Sequence, residues 1–210
     1  MKKLVYLFLI LQTIMIAACS GNAATYVAIP QGATVLVLGD SLSYGTGANV
    51  GEDYPTLLAK TTGWKIINEG IPGDTTAGGL ERLPNLLEQY QPKLLIVELG
   101  GNDLLHQTPQ AEIVSNLKTM LEHAKMRGVA VVLVAIPEVS ALKAAIGNLS
   151  DHPLYESVAK ETATPLIKDV FSDVLSDREL KSDQIHANAL GYRVISDKLY
   201  LELQALGFAG

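Results

Sequence analysis

Apolar runs alternate with segments of helical periodicity along most of this chain. Four consecutive aliphatic residues from Val35 to Leu38, two of them β-branched, are typical of a parallel strand that is buried on both faces. Further apolar runs predict a second strand at Lys65–Asn68, a third at Leu94–Leu99, a fourth at Val129–Ile136 and a short fifth at Leu166–Ile167. Between these runs, apolar residues recur at helical spacing and predict helices over 54–62, 80–90, 110–127, 153–162 and 188–206.

Strands that alternate with helices indicate right-handed crossovers between parallel strands. The pattern therefore predicts an α/β protein, namely a three-layer α/β/α sandwich around a mostly parallel, flavodoxin-like sheet of about five strands. Once the N-terminal segment is set aside, about 180 residues remain, which suits one domain and is short for two. We expect that domain to span residues 33–210.

The first residues have the pattern of an export signal. Lys2 and Lys3 precede an apolar stretch that ends at Ala18 and is shorter than the roughly 20 residues of a membrane-spanning helix. The residues before Cys19 resemble the bacterial lipobox, so we expect a signal peptide over 1–18, lipid on Cys19 and a tether over 19–32. Cleavage after Ala18 or Ala24 by the ordinary signal route is the alternative.

Cys19 is the only cysteine in the chain, so no internal disulfide can form, and lipidation would explain its presence. Ser20, rather than an aspartate, follows it, and in Gram-negative lipoprotein sorting this points to the outer membrane. The sequence thus predicts an exported, periplasmic protein whose membrane contact is an N-terminal lipid anchor.

Charge and histidine spacing exclude several other classes of function. The formal net charge is −6 and no Lys/Arg cluster follows Lys3, which argues against a nucleic-acid partner. The histidines are scattered and no metal-binding or phosphate-binding motif is present. We therefore expect no metal and no other cofactor.

Polar and glycine residues follow the ends of three predicted strands. Ser41 follows the first strand, Gly73 the second and Asn102 the third. Ligands bind beyond the carboxyl ends of parallel strands, so these groups should lie at one crevice. Asp183 and His186 precede the last helix with a spacing that lets a carboxylate reach the ring. A hydroxyl, a base with its carboxylate and amide donors are the parts needed for acyl transfer.

Some of these residues also admit a structural interpretation. Asp40 and Ser41 are residue types that cap helices, so the first turn alone does not decide between capping and catalysis. His106 follows Asn102 closely and is a candidate for the substrate pocket. Three aromatic residues could line an acyl pocket or belong to the core: Tyr44, Tyr54 and Trp64.

Four blocks, taken in order, resemble those of the GDSL or SGNH hydrolases. They are Gly39-Asp40-Ser41-Leu42-Ser43, the glycine of Pro72-Gly73-Asp74, Gly101-Asn102-Asp103 and Asp183-x-x-His186. Within that superfamily the chain looks similar to the bacterial multifunctional acyl-CoA thioesterase, arylesterase and lysophospholipase group. One departure is Ala187, where the family usually has proline after the histidine.

The resemblance assigns a role to each block. It implies Ser41 as nucleophile, His186 as base and Asp183 as its partner. The oxyanion donors would be the Ser41 amide, the Gly73 amide and the Asn102 side chain.

The expected activity is hydrolysis of acyl esters through an acyl-serine intermediate, with aryl esters, acyl thioesters and lysophospholipids as substrates. The partners would be a small acyl-ester or lipid substrate and the membrane that holds the anchor, and we expect a monomer. Two alternatives remain open, a carbohydrate O-acetylesterase of envelope polysaccharide and a non-catalytic envelope lipoprotein.

Overall fold

The central sheet is parallel throughout and has five strands in the described part of the chain. The computed structural model describes residues 26–138 and 147–210, so the predicted signal peptide, Cys19 and the first part of the predicted tether lie outside it. The strands are β1 (Thr34–Gly39), β2 (Lys65–Gly70), β3 (Leu94–Glu98), β4 (Ala130–Val134) and β5 (Leu166–Ile167). Their order is β2-β1-β3-β4-β5. This order confirms the flavodoxin-like prediction.

Helices connect the strands. They are α1 (Ser41–Tyr44), α2 (Tyr54–Thr62), α3 (Thr76–Tyr90), α4 (Gly101–Leu105), α5 (Gln110–Met126), α6 (Leu154–Thr162), α7 (Val170–Ser176) and α8 (Ala189–Ala205), with a 3₁₀ turn at Arg178–Leu180. Helix α3 begins before the predicted residue 80, because the Thr75 side chain accepts from the Gly78 amide and caps it. Helices α1, α4 and α7 were not predicted, since so few residues cannot show a helical period.

The helices form two groups. In one group, α5 contacts both α3 and α6. In the other group, α8 contacts both α2 and α7. The sheet between them has its most completely buried residues in β1 and β3, where Val35–Leu38 and Leu94–Val97 are all 0% exposed. The continuous aliphatic character of both runs follows from this burial on two faces.

The strand order sets the place of the site. The chain crosses from β1 to β2 on one side and reaches β3 on the other, so a crevice opens beyond the carboxyl ends of β1 and β3. Asp40 and Ser41 directly follow β1, and Gly101 and Asn102 follow β3 after Leu99 and Gly100. Two of the predicted blocks therefore meet at the topological switch point of the sheet.

The last part of the predicted tether packs onto the domain. Tyr26 donates from its amide to the Leu206 carbonyl, and Ile29 donates to the Phe208 carbonyl. The Tyr26 ring stacks on that of Phe208 at a centroid distance of 4.6 Å. The packed domain thus includes residues from Tyr26 onward, earlier than the predicted start at residue 33. Across residues 26–138 and 147–210, no helix combines the length and the apolar character needed to cross a membrane.

Candidate active site

Ser41 lies on the turn that leaves β1. Asp40 caps the one-turn helix α1, because its Oδ1 accepts from the Leu42 amide at 2.9 Å. Gly45, at φ 91°, ends the helix in the left-handed conformation that favours glycine. Asp40, and not Ser41, therefore caps this helix, and the hydroxyl of Ser41 has a different partner.

That partner is His186. Its Nε2 lies 3.0 Å from Ser41 Oγ, and its Nδ1 lies 2.8 Å from Asp183 Oδ2. The three residues come from the first turn of the sheet and the loop before the last helix, and the fold brings them into one hydrogen-bonded line. A base in contact with a hydroxyl, and a carboxylate in contact with the base, can withdraw the hydroxyl proton as the oxygen attacks a carbonyl.

Asp183 is held in its charged form. Burial alone would raise the pKa of Asp183, but hydrogen bonds from the His186 ring and from the Ile185 and His186 amides outweigh it, so the pKa lies below its usual value. The two backbone amides donate to Oδ1 at 2.8 Å each, which leaves Oδ2 for the ring. A negative Asp183 both orients the ring and stabilises a protonated His186.

The loop that carries Asp183 and His186 is closed on itself. Lys181 pairs with Ala187 in an antiparallel bridge, and the Ser182 amide donates to the His186 carbonyl at 3.0 Å. Ala187 is completely buried. Backbone pairing therefore restrains the loop at the position where proline is usual in the family.

Two backbone amides of the predicted blocks have no acceptor in the part of the chain that the structure describes. Gly73 has φ 83°, and the Asp74 amide donates to the Ile71 carbonyl. With Pro72 before Gly73, this is a type II turn, which requires a positive φ at the glycine. In the described residues neither the Gly73 amide nor the Ser41 amide donates a hydrogen bond. Both are thus free to donate to a ligand.

The Asn102 side chain is engaged. Its Nδ2 donates to Asp40 Oδ2 at 3.1 Å and to the Asp74 carbonyl at 2.9 Å. These contacts hold the amide between the turns that follow β1 and β2. To bind an oxyanion, Asn102 has to redirect one of these two hydrogen bonds. Catalytic hydrogen bonds commonly reach their final geometry only in the complex with the reacting substrate.

Asp103 joins two of the predicted blocks. It is 1% exposed, and its oxygens accept from the Thr76 amide at 2.8 Å and from Thr76 Oγ1 at 2.7 Å. This fixes α4, which carries Asn102, to the start of α3, next to the turn that carries Gly73. Sequence reasoning missed this role of Asp103, although its place beside Asn102 was a signal.

An apolar cleft of about 170 Å³ opens beside Ser41. Its apolar lining comes from Leu42, Leu105, Ile136, Pro137, Leu149, Leu175 and Ile185, and its polar lining includes Asn102, Glu138 and Gln184. His106 does not line this cleft, nor do Tyr44, Tyr54 or Trp64. Tyr54 and Trp64 belong to the core, while Tyr44 is 59% exposed. The acyl-pocket and substrate-pocket hypotheses for these four residues are therefore wrong for this cleft.

In the part of the chain that the structure describes, no group of three or more His, Cys, Asp or Glu side chains is arranged to hold a metal ion. The crevice brings together the hydroxyl, the imidazole, the carboxylates and the amide donors described above. Together with the flavodoxin-like sheet, these groups define a serine hydrolase.

The chain belongs to the GDSL-like Lipase/Acylhydrolase family, whose model matches residues 37–194. It is 34% identical over 210 residues to Thioesterase 1/protease 1/lysophospholipase L1 of Escherichia coli K12, covering 96% of this chain and 91% of that protein. It is 43% identical over 107 residues to the arylesterase of Vibrio mimicus, covering 49% of this chain and 54% of that one. A crystal structure of TesA superposes with a TM-score of 0.74 at 30% identity, covering 82% of this chain and 99% of that one.

Asp40 carries an electrostatic cost. Burial raises the pKa of Asp40 from 3.8 to about 6, with Asp74 and Asp103 adding to the rise, although the Leu42 amide and His186 oppose it. A raised pKa means that the folded state binds the Asp40 proton more tightly than the unfolded state does. The stability that this group contributes is therefore present at low pH and is lost as the pH rises through 6.

Asp40→Asn should reveal this cost. Titrations common to both proteins cancel in the difference between their unfolding free energies. That difference, variant minus wild type, should grow by about 2 kcal/mol between about pH 4.5 and about pH 7.5. Urea unfolding at a series of pH values measures it, with Asp177→Asn as a control at an exposed helix-cap carboxylate. A difference that stays constant with pH would show that Asp40 titrates normally in the folded protein.

Proposed function

We propose that this protein hydrolyses acyl esters and thioesters, including aryl esters and lysophospholipids, through an acyl intermediate on Ser41. The observation that carries the proposal is the contact between Ser41 Oγ and His186 Nε2 at 3.0 Å, with Asp183 on the other ring nitrogen and an apolar cleft beside the hydroxyl. All these groups come from one chain, so no second copy is needed, and we propose that the protein acts as a monomer.

Acylation begins with attack of Ser41 Oγ on the acyl carbonyl while His186 Nε2 takes the hydroxyl proton. Asp183 stabilises the imidazolium that forms. When the bond to the leaving group breaks, His186 returns the proton to the departing alcohol or thiol oxygen or sulfur. In deacylation, His186 takes a proton from water while the water oxygen attacks the acyl carbon. The bond between the acyl carbon and Ser41 Oγ then breaks, His186 returns the proton to Oγ, and the carboxylic acid leaves.

The negative oxygen formed in each step needs donors. The Ser41 and Gly73 amides have no other acceptor in the described residues, and Asn102 lies within reach once one of its hydrogen bonds is redirected. Donors of this kind act most strongly in a site that excludes water. The hydrogen bond from Asn102 to the buried Asp40 carboxyl group keeps the Asn102 amide beside the turn that carries Ser41.

The apolar cleft supports a preference for acyl chains longer than acetyl. Each methylene buried there contributes about 0.8 kcal/mol. The names of the relatives, a thioesterase and lysophospholipase and an arylesterase, support the same breadth of leaving group. A carbohydrate O-acetylesterase has no use for such a cleft, and a non-catalytic lipoprotein would not need the Ser41–His186–Asp183 arrangement. We therefore place both alternatives second.

The proposed location is the periplasm, with a lipid on Cys19 and the outer membrane as its attachment. The described chain enters the domain near Leu206 and Phe208, at the start of β1, whereas Ser41 follows the other end of that strand. Six residues of strand separate the two ends by about 20 Å. The seven residues from Cys19 to the first described residue span at most about 25 Å.

This geometry bears on how a lipid substrate reaches the site. An anchor at one end of β1 keeps the enzyme near the membrane but does not by itself turn the opposite end toward it. Single-chain amphiphiles leave a bilayer far more readily than two-chain lipids, because they bury half as much hydrocarbon. Lysophospholipids and soluble thioesters therefore fit an anchored enzyme of this shape.

Labelling with a fluorophosphonate tests the proposed nucleophile. The probe should modify the wild-type protein. It should react far more slowly with His186→Ala, because the Ser41 hydroxyl of that variant lacks a base. Ser41→Ala should show no labelling, whereas Ser157→Ala, which removes an exposed hydroxyl on α6, should label like wild type. Equal labelling of wild type and Ser41→Ala would refute the assignment.

A chain-length series of p-nitrophenyl esters tests the acyl cleft. We expect kcat/KM to rise from acetyl toward octanoyl. Leu105→Ser removes an apolar wall that is 41% exposed, so it should lower the octanoyl-to-acetyl ratio about fivefold with little effect on folding. Leu201→Ser is the control, because Leu201 is equally an exposed leucine but lies on α8 outside the cleft. An enzyme fastest on acetyl esters and inert toward octanoyl esters would favour the O-acetylesterase.

The anchor is tested by mass spectrometry of the mature protein. We expect an N-terminal peptide that begins at Cys19 and carries acyl and diacylglycerol groups, and a protein that fractionates with the outer membrane. Cys19→Ala should be released from the membrane fraction. A soluble wild-type protein that begins after Ala24 would show the ordinary signal route instead.

A further inference from the structure

Glu98 is a buried carboxyl group that the reaction described above does not use. It is the last residue of β3, is 0% exposed and follows four aliphatic residues. Its Oε2 lies 2.6 Å from Ser43 Oγ and accepts from the Ser43 amide at 3.1 Å. Its Oε1 has no hydrogen-bond partner in the described residues. An aliphatic side chain would fill this position without burying a carboxyl group.

The burial of Glu98 costs free energy. Burial raises the pKa of Glu98 well above its usual range, the negative charge of Asp40 adds to the rise, and the hydrogen bonds from Ser43 oppose it. Burial therefore favours the uncharged acid over the carboxylate. Even a neutral polar group with an unpaired oxygen is costly in a protein interior. A cost retained at this place calls for a function.

The partner of Glu98 lies two residues from the proposed nucleophile. Ser43 is 0% exposed and every polar group it has is bonded. Its amide and hydroxyl contact Glu98, its hydroxyl also contacts the Tyr54 hydroxyl at 2.6 Å, and its carbonyl accepts from Asn68 Nδ2 at 2.8 Å. These hydrogen bonds restrain Ser43, and with it the segment that carries Ser41.

The segment that carries Ser41 is too short to keep its conformation without contacts to the rest of the domain. Helix α1 has four residues, and a single helical turn is unstable alone because nucleation fixes several dihedral angles for one hydrogen bond. The contact with β3 is also tight: a Cβ on Gly39 would lie 2.0 Å from Ser43 Oγ and 2.7 Å from Glu98 Oε2. The turn between Gly39 and Ser43 therefore rests directly on Glu98.

We infer that Glu98 is a positioning residue for the proposed nucleophile, which it controls through Ser43: its hydrogen bonds fix α1 and thereby the hydroxyl and the amide of Ser41. The inference rests on the proposed role of Ser41. It adds a residue that touches neither substrate nor the reacting atoms. Displacement of a reacting group by about 1 Å can cost on the order of a hundredfold in rate.

The first test compares three variants at a temperature where circular dichroism shows all of them folded. Glu98→Ala should lower kcat for p-nitrophenyl butyrate about tenfold to a hundredfold, with KM changed less than about threefold. Glu98→Gln should keep kcat within about threefold of wild type, because a neutral amide oxygen can accept the same two Ser43 hydrogen bonds. Leu95→Ala is the control, since it empties a fully buried site on the same strand and should lower stability without lowering kcat.

A near-normal kcat in Glu98→Ala would overturn the inference, as would a Glu98→Gln that is as slow as Glu98→Ala. A slow Leu95→Ala would overturn it as well, because general destabilisation would then explain the effect. The rate of fluorophosphonate labelling gives a separate reading. Failure of the wild type to label at Ser41 would remove the proposed function, whereas equal labelling rates in wild type and Glu98→Ala would remove only the role of Glu98.

The second test asks whether Glu98 acts through Ser43. Ser43→Ala removes the hydroxyl but leaves the backbone amide, so it should lower kcat by less than Glu98→Ala does. The double variant should be no slower than Glu98→Ala within about threefold, because residues that act as one unit are not additive. Independent, multiplicative losses would overturn the coupling. If Glu98→Ala does not fold, Ser43→Ala and Glu98→Gln decide alone, and a normal kcat in Ser43→Ala overturns the inference.

Discussion

The turn that leaves β1 is held between two buried carboxyl groups, and the rest of the proposed site depends on it. Asp40 accepts from the Leu42 amide and from Asn102, while Glu98 accepts from the amide and hydroxyl of Ser43. Ser41 lies between these anchors. A four-residue helix gains a defined position from them that its own hydrogen bonds could not provide.

The same two carboxyl groups make the crevice costly to fold. Burial raises the pKa of both, so each opposes the stability of the folded state when it is ionised. The aliphatic cores of β1 and β3, buried on both faces, supply the apolar burial that offsets this cost. Strained or electrostatically unfavourable groups are commonly kept where catalysis needs a fixed arrangement. The esterase crevice of this family member has that character.

Contacts between the family blocks explain how distant segments act as one site. Asp103 binds the start of α3, Asn102 bridges the turns after β1 and β2, and the loop before α8 brings His186 against Ser41. Asn102 is already bonded on both of its N–H groups, whereas the Ser41 and Gly73 amides are free in the described part of the chain. The two backbone amides are therefore free to donate to a ligand, and the Asn102 side chain has to change partners before it can do so.

The sequence by itself determined the class of fold, because alternating aliphatic runs and helical periods follow from which residues need burial. It also determined the candidate residues, because the four blocks resemble those of one family. Only the tertiary structure decided how these residues meet, since Ser41 and His186 are 145 positions apart. Ser43 and Glu98 are 55 positions apart, and a single acidic residue at the end of an aliphatic run gave no indication of its partner. The short helices could not be predicted, because so few residues show no helical period. The location of the aromatic side chains could not be predicted either, because a hydrophobic pattern does not distinguish a pocket wall from the core.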